Sequence, residues 1–450
     1  MSRALRVRSR AGYACGSAVT GVFTTLPGLL LLPYLTDTLG IPAVAAGAAV
    51  LLPKAWDVLT TPWAGRLGDR ARRPGIRRAH LTAGGTATAL AFALTFAGVA
   101  HGTAGALWAT AALTLAATAF AFFHASYAAL PGELAADPED RTSLVAARVA
   151  GIAVAALTAG AAAPALVTAT GGGLTGYRWA GLFGAAVMAA ATLAVRVTAT
   201  PPPRAARLHA SAAVPTTPAP VPRPWTLLRT TPRFAALVVC AALQVTATGC
   251  LLAGGPYFAE HALGHKDMTS VLVAAFVLPN LLTTPWWTRR SARTGHRAAF
   301  RRATAVFVAG CLLLAVSPVL PAVAPLAVFV AGTGHAGQLL LLYALLAERC
   351  AGADRTGRPA GTLSGLFGAA ESLGLAVGPF LYALALQATG YASSGTGHAA
   401  RQTTTAHAGV VAGMTLLPAV AALAGLAVLH RRPAPATPDS DPAAHAQARL

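Results

Sequence analysis

The chain has 450 residues, of which 55% are hydrophobic and only 11% charged, with a formal net charge of +20. A soluble protein carries about 25% charged residues, and soluble cores stop growing well below this chain length; lipid must therefore be the solvent for most of this surface. The positive charge would suit a nucleic acid if it were gathered on one face, but it sits in short clusters between apolar runs, where a membrane protein marks its cytoplasmic side.

The N-terminal MSRALRVRSR is basic, and the apolar run after it is long, lacks a convincing cleavage site and is followed by many others. It reads as a cytoplasmic tail rather than a signal peptide. A helix needs about 20 mostly apolar residues to cross the bilayer core. Twelve runs meet that need: 12–36, 41–63, 79–101, 105–130, 144–169, 177–197, 234–258, 268–287, 303–320, 323–347, 361–388 and 408–429. Helices are expected because lipid offers no water to unpaired backbone groups. The many Ala and Gly within the runs allow helices to approach closely. With the N-terminus inside, 29 of the 34 Lys and Arg lie on the cytoplasmic side; Arg178, Lys266 and Arg401 lie outside, and Lys54 and Arg148 lie within runs. That asymmetry predicts cytoplasmic termini.

Between the sixth and seventh runs lies TATPPPRAARLHASAAVPTTPAPVPRP, a Pro/Ala-rich segment of polyproline character that reads as a linker. The expected organisation is a tail over 1–11, a six-helix bundle over 12–197, a cytoplasmic linker over 198–233, a second six-helix bundle over 234–430, and a cytoplasmic tail over 431–450. One pentapeptide supports the division. LTTPW closes the second run of each half, at Leu59–Trp63 and again at Leu282–Trp286, each time just before a group of arginines. Parallel halves around a central path are a design of secondary transporters.

The five cysteines (Cys15, Cys240, Cys250, Cys311 and Cys350) are scattered with no CxxC spacing, so neither a disulfide framework nor a metal site is indicated. The carboxylates of ELAADPEDR, beside Arg141, read as a solvated salt-bridge network at a helix end. TGGGLTG lacks the Lys-Ser/Thr ending of a phosphate loop. No nucleotide motif and no nucleophile–base pair is visible, so no cofactor and no enzyme activity are expected.

GRLGDRARR, with Gly65, Asp69 and Arg70, resembles the loop signature of the major facilitator superfamily. YLTDTLG (34–40), KAWDVLTTPWAGRLGDRARRPGIRR (54–78), YAALPGELAADPEDRTSLVAAR (127–148), DRTGRPAGTLSGLFGAAESLGLAVGP (354–379) and the Gly390-Tyr391 pair are similar to the glycoside–pentoside–hexuronide cation symporters, the family of melibiose permease. The resemblance implies an all-α membrane fold of twelve helices in two pseudo-symmetric bundles. It implies transport of a small solute by alternating access, often sugar uptake coupled to Na⁺ or H⁺. It also places the second and eleventh helices face to face. The chain departs from the family pattern at several points. The second of the two aspartates on helix two is Thr61 here, and the positions of the family's sugar-binding carboxylates and lysine hold Gly21, Phe123 and Ser372.

An ionisable group inside the bilayer costs about 2.5–3.5 kcal/mol even on lenient scales, so it usually faces a cavity and has a role. Asp57 is the expected ion-coupling carboxylate, with Lys54 on the same helical face, Glu371 as a second charge across the path within reach of Lys54, and Thr61 beside them. A static ion pair between helices is the alternative. H⁺ ranks above Na⁺, because Na⁺ needs several hard oxygen ligands and Asp57 is the one anion of that group. His124, Tyr127, Gln244, Asn280, His335, Gln338 and Trp287 are the expected substrate contacts, though each also suits plain helix packing. Gly65, Asp69, Arg70 and Arg141 are the expected gating residues, and Arg148 reads as structural. The leading function is cation symport of a sugar or glycoside by a monomer in the plasma membrane; proton-coupled export of a hydrophobic solute is the alternative.

Overall fold

A computed structural model describes residues 3–70, 74–134, 138–198, 228–355, 360–394 and 400–430. Residues 199–227 of the expected linker and the whole expected C-terminal tail lie outside those residues, whereas residues 3–11 of the expected N-terminal tail are helical and open the first helix. Among the described residues thirteen α-helices follow in order: α1 (Arg3–Pro33), α2 (Ala43–Arg70), α3 (Pro74–Thr95), α4 (Gly102–Leu134), α5 (Pro138–Ala169), α6 (Gly173–Thr198), α7 (Pro232–Tyr257), α8 (Met268–Leu282), α9 (Thr284–Thr294), α10 (His296–Leu313), α11 (Val323–Arg355), α12 (Ala360–Ala388) and α13 (Thr404–His430). There is no strand among the described residues.

Ten of these helices are long and apolar enough to span a bilayer, and the pair α8–α9 makes an eleventh as one bent span. Twelve were expected, and the difference has local causes. The run at 79–101 is helical, but α3 already ends at Thr95 and its N-terminal turns carry Arg77 and Arg78. The run at 268–287 is not straight: α8 and α9 meet at Thr283 with a bend of 50°. Pro285 lacks the amide that would continue the helical ladder, and Pro279 lies about a turn and a half before it. The first LTTPW sits inside α2, which runs unbroken from Ala43 to Arg70, so the repeated word does not produce the same bend twice.

Helix contacts repeat between the halves. In the first half α1 packs on α5 and α6, α4 on α2 and α3, and α3 on α6. In the second half α7 packs on α12 and α13, α11 on α8 and α10, and α10 on α13. The halves meet through α1–α7, α2–α12 and α5–α8. Exchanging the halves maps this set of contacts onto itself. Glycine permits several of the crossings: a Cβ at Gly84 would lie 2.8 Å from the backbone nitrogen of Phe123, and one at Gly334 would collide with that of Phe307.

Among the described residues, two close approaches between the halves lie at the same end. A Cβ at Gly47 of α2 would lie 2.6 Å from the Cβ of Ala383 on α12, and one at Gly160 of α5 would lie 2.8 Å from Val273 Cγ1 on α8. Both contacts lie toward the end away from the termini, called the far end below. One apolar cluster joins the halves there through Leu29, Tyr257, Val273 and Tyr382. A second cluster, with Phe234, Trp287, Phe300 and Phe367, belongs to the second half alone and lies toward the opposite end. Large apolar side chains face outward along the helices, Leu59 at 71% and Leu107 at 72% exposure among them, as a lipid-facing surface requires.

The repeat extends to a local irregularity. Helix α1 finishes in a π-turn over Tyr34–Thr38 and α7 in one over Phe258–Ala262. Leu39 N–H donates to Tyr34 O at 3.1 Å and Leu263 N–H to Phe258 O at 3.0 Å. Gly40 and Gly264 follow with φ of 72° and 73°, a conformation that side chains with a Cβ rarely adopt. In this register Asp37 of one half corresponds to His261 of the other.

Candidate functional site

The ionisable side chains inside the helices gather on five elements. On α2, Asp57 is buried and Lys54 lies one turn away, close enough for its ammonium to feel the Asp57 charge. The Lys54 Nζ stands 5.0 Å from the centre of the Phe23 ring on α1, a cation–π arrangement. Thr60 turns its hydroxyl back to Trp56 O at 3.0 Å, and Trp56 Nε1 donates to Thr118 Oγ1 at 2.9 Å, tying α2 to α4.

The next group joins α4 and α5. Arg148 of α5 donates through one terminal nitrogen to His124 Nε2 on α4 at 2.8 Å, and its guanidinium carbon stands 5.3 Å from the centre of the Tyr127 ring. Guanidinium is only a donor, so Nε2 accepts and the His124 proton is on Nδ1. His124 is therefore neutral in this arrangement, and a proton arriving at Nε2 would break the bond to Arg148. Tyr127 is fully buried; its hydroxyl donates to Tyr13 O and shares a 2.8 Å bond with Ser17 Oγ, and its ring stacks on Tyr13 at 4.6 Å. Arg148 thus centres a polar cluster in the first half.

On the second half, Glu371 of α12 accepts a hydrogen bond from Tyr343 Oη of α11 at 2.8 Å. The charge of Arg148 reaches Tyr343 across the divide between the halves. No Lys54–Glu371 bridge is present among the described ion pairs; Glu371 is served by Tyr343 and Lys54 by Phe23 and Asp57. A close approach of α2 to α12 lies at Gly47, about two turns toward the far end from Lys54.

The remaining expected contacts are drawn into the second half itself. Gln244 of α7 is buried and donates through Nε2 to Ala422 O of α13 at 3.0 Å. Trp287 of α9 is fully buried, with Nε1 donating to Thr333 O at 2.8 Å. Gln338 of α11 donates to Thr304 Oγ1 of α10 at 3.3 Å, whereas His335, one turn earlier, bonds Thr248 Oγ1 of α7 at 3.2 Å and stacks on Phe276. Those two side chains therefore bond different neighbours in this conformer. Asn280 of α8 donates back to Val277 O at 3.3 Å. The side-chain oxygens of Gln244, Gln338 and Asn280 remain buried without a hydrogen-bond partner. Thr61, Gly65, Asp69, Arg70 and Arg141 fall on helical backbone, but their side chains lie outside the described residues. Among the described residues no three His, Cys, Asp or Glu side chains come together as a metal site.

A family model described as MFS/sugar transport protein matches residues 12–435. The chain belongs to this family. Its curated relatives include a putative glycoside/cation symporter, YagG, of Escherichia coli strain K12 (30% identical over 183 residues) and the inner membrane symporter YicJ of the same strain (29% over 145 residues). An uncharacterized symporter of Bacillus subtilis strain 168, YjmB, is 30% identical over 144 residues. These matches cover 40%, 32% and 31% of the present chain and span only 39%, 32% and 31% of the relatives' own lengths.

Solved structures extend the likeness to nearly the whole chain at the level of fold. The inward-facing, occupied form of a bacterial homolog of the human lysosomal transporter Spinster superposes with a TM-score of 0.69 at 14% identity, covering 97% of this chain and 100% of that one. The nucleoside transporter NupG superposes with a TM-score of 0.62 at 14% identity, over 95% of this chain and 100% of its own. The protein is a multi-pass membrane member of a transporter family, and its relatives are not enzymes.

Two features of this candidate site were not read from the sequence: Tyr343 and the partners of Arg148. Tyr343 left no signal, because a tyrosine in an apolar run is usually an interface or packing residue. Arg148 was visible as an intramembrane cation, but its partners come from α4 and could not be read from its own helix.

Proposed function

We propose that this protein is a secondary active transporter working by alternating access, coupling entry of a cation, H⁺ rather than Na⁺, to symport of a small polar solute such as a sugar or glycoside. The observation that carries the reading is the division of the intramembrane charges between halves. Arg148 with His124 and Lys54 with Asp57 belong to the first half, and Glu371 with Tyr343 to the second. A solute held between such groups interacts differently with the two conformers, and only differential interaction shifts a conformational equilibrium. Two cations and two carboxylates balance, which suits a neutral polyhydroxylated solute better than an ion of fixed charge. The symporter relatives support cation coupling, and the preference for H⁺ rests on the small number of anionic oxygens near Asp57.

In this reading Asp57 is the coupling carboxylate, Lys54 and Thr61 set its surroundings, and Glu371 is the partner charge of the other half. His124 and Tyr127 are the substrate-side groups of the first half. Gly65, Asp69, Arg70 and Arg141 belong to the gate at the end bearing the termini, which are cytoplasmic in a monomer of the cell membrane. The boundaries proposed for the two bundles remain 12–197 and 234–430.

The test is proton movement in proteoliposomes of purified protein carrying a trapped pH dye, with a panel of sugars and apolar compounds. Proton flux in the same direction as an added sugar is the expected outcome. Counter-flux evoked only by apolar compounds would replace symport with export. That second reading is favoured by one observation: Gln244, Gln338 and Trp287, the sugar-like contacts of the second half, are engaged within that half. Silence with H⁺ but uptake driven by Na⁺ would overturn the choice of ion.

A further inference from the structure

At the closed far end, three side chains form a continuous hydrogen-bond chain between the halves. Tyr391, in the loop after α12, donates from Oη to Asp37 Oδ1 of the first half at 3.0 Å. The same Oη lies 3.0 Å from His261 Nε2 of the second half. Asp37 and His261 are the corresponding residues of the two π-turns, so one tyrosine bridges pseudo-symmetric positions. Its place is set by a turn: Tyr391 N–H donates to Leu386 O at 2.9 Å across Gly390, whose φ is 74°, the geometry of a Schellman helix end. Ser394 Oγ donates to Asp37 O at 3.0 Å, and Thr36 Oγ1 pairs with Tyr257 Oη at 2.7 Å, also across the halves.

We propose that this chain is a proton site distinct from Asp57 and Glu371: one proton, shared by Asp37 and His261 through Tyr391, holds the far end closed. With the proton on His261, imidazolium Nε2–H donates to Tyr391 Oη and Tyr391 O–H donates to the Asp37 carboxylate. Transfer breaks the Nε2–H and Oη–H bonds and forms new Oη–H and Oδ1–H bonds. It leaves neutral imidazole accepting from Tyr391 and a neutral carboxylic acid donating to it. Both arrangements satisfy all three groups and carry no net charge. Loss of the proton leaves a net negative charge in a buried interface, which is unfavourable, and opening the far end returns Asp37 and His261 separately to water. Closure therefore binds a proton and opening releases it.

The neighbours do not supply that proton as readily. Glu260 and Lys266 of the second half pair with each other at 2.7 Å, and Asp267 lies beside Lys266. His407 of α13 meets the His261 ring edge-on at 5.8 Å, and Tyr177 and Tyr257 approach Asp37 from α6 and α7. A cavity of about 350 Å³, lined by Asp37, Glu260, Lys266 and Asp267, gives the carboxylate a polar approach from the far end. In a symporter whose termini are cytoplasmic this end is external, so an external proton would load the open protein and close it behind the solute. That role rests on the proposed function above; the proton linkage itself needs no solute.

The experiment is a pulsed electron-spin distance measurement on the full-length chain in lipid nanodiscs. The accessible cysteines are removed by Cys15→Ser and Cys350→Ser, and labels are placed through Val99→Cys and Val319→Cys, on exposed far-end loops of opposite halves. Between about pH 5 and about pH 9 the short-distance, closed population is expected to fall, with the open-to-closed ratio changing by about tenfold per pH unit where one proton is linked. Asp37→Asn, which removes the ionisable acid and keeps an amide oxygen to accept from Tyr391, is expected to flatten that dependence; His407→Gln is expected to retain it. A population independent of pH overturns the proposal, as does an unchanged slope in Asp37→Asn. Solute-driven proton flux together with a flat distance series sinks this site alone, whereas a pH-linked far end with no flux for any solute sinks the transport reading alone.

Discussion

Glu371 and Asp57 illustrate how much a single carboxylate can carry when lipid surrounds it. Glu371 sits in an otherwise uncharged helix and Asp57 one turn from Lys54, and the two carboxylates belong to opposite halves. The proposed coupling role predicts that Asp57→Asn abolishes gradient-driven accumulation while exchange of solute down its own gradient survives; loss of both would mean damage to the fold or the binding site. For Glu371→Gln the same split is expected, with accumulation reduced at least about tenfold, as for loss of a coupling energy near ~1.4 kcal/mol. Arg148 makes a different prediction. Arg148→Lys keeps the charge but not the fixed fork of donors, so solute affinity should weaken several-fold, whereas Arg148→Gln should weaken it further. Isothermal titration with whichever solute evokes flux separates the two. These ionisable groups were legible in the sequence because each interrupts an apolar run. Their partners were not, because Tyr343 and Phe23 come from helices whose adjacency only packing decides.

At the scale of the element, close helix crossings depend on absent side chains. Gly334 of α11 lies where a Cβ would collide with the Phe307 backbone of α10, and backbone cannot yield as a flexible side chain does. Gly334→Val is expected to destabilise the second half by about 1–3 kcal/mol, read as a lower melting temperature of the purified protein in detergent. The exposed Gly365, which meets nothing within 4 Å, is the control, and Gly365→Ala should leave melting unchanged. The bend between α8 and α9 shows the limit of reading elements from composition. An apolar run of the right length fits a straight span, and proline is common in such runs without breaking them. Pro62 in α2 and Pro285 at the head of α9 follow the same three letters, yet only the second copy bends, with Pro279 set just before it. Gln244, Gln338 and Trp287 bond to backbone or side chains of neighbouring helices here, partners that the sequence does not name. A polar side chain in a span points either to a path or to a neighbouring helix, and its own sequence periodicity does not say which.

For the whole molecule, one apolar cluster joins the halves at the far end and a second belongs to the second half alone toward the other end, an arrangement that suits one conformer of the proposed alternating-access cycle. The Cβ placement at Gly160 lies 2.8 Å from Val273 Cγ1, so cysteines at both positions fall within the roughly 4.5 Å between Cβ atoms that a disulfide spans. Oxidising Gly160→Cys/Val273→Cys should lock the far end shut and stop transport, with recovery on reduction; undiminished transport by the oxidised pair would mean that this end does not open. Twelve apolar runs, basic clusters on one side and a repeated pentapeptide were enough to establish an all-helical membrane protein of two similar halves. Those features follow from the thickness of the bilayer and the cost of charge within it, which act on every segment by itself. The family resemblance pointed further, to YLTDTLG and the Gly390-Tyr391 pair, without saying what either does. Only the tertiary structure brought Asp37, Tyr391 and His261 together, 354 and 130 residues apart along the chain from the tyrosine. Contacts of that separation depend on how two finished bundles dock, and no local pattern of hydrophobicity or charge encodes that docking.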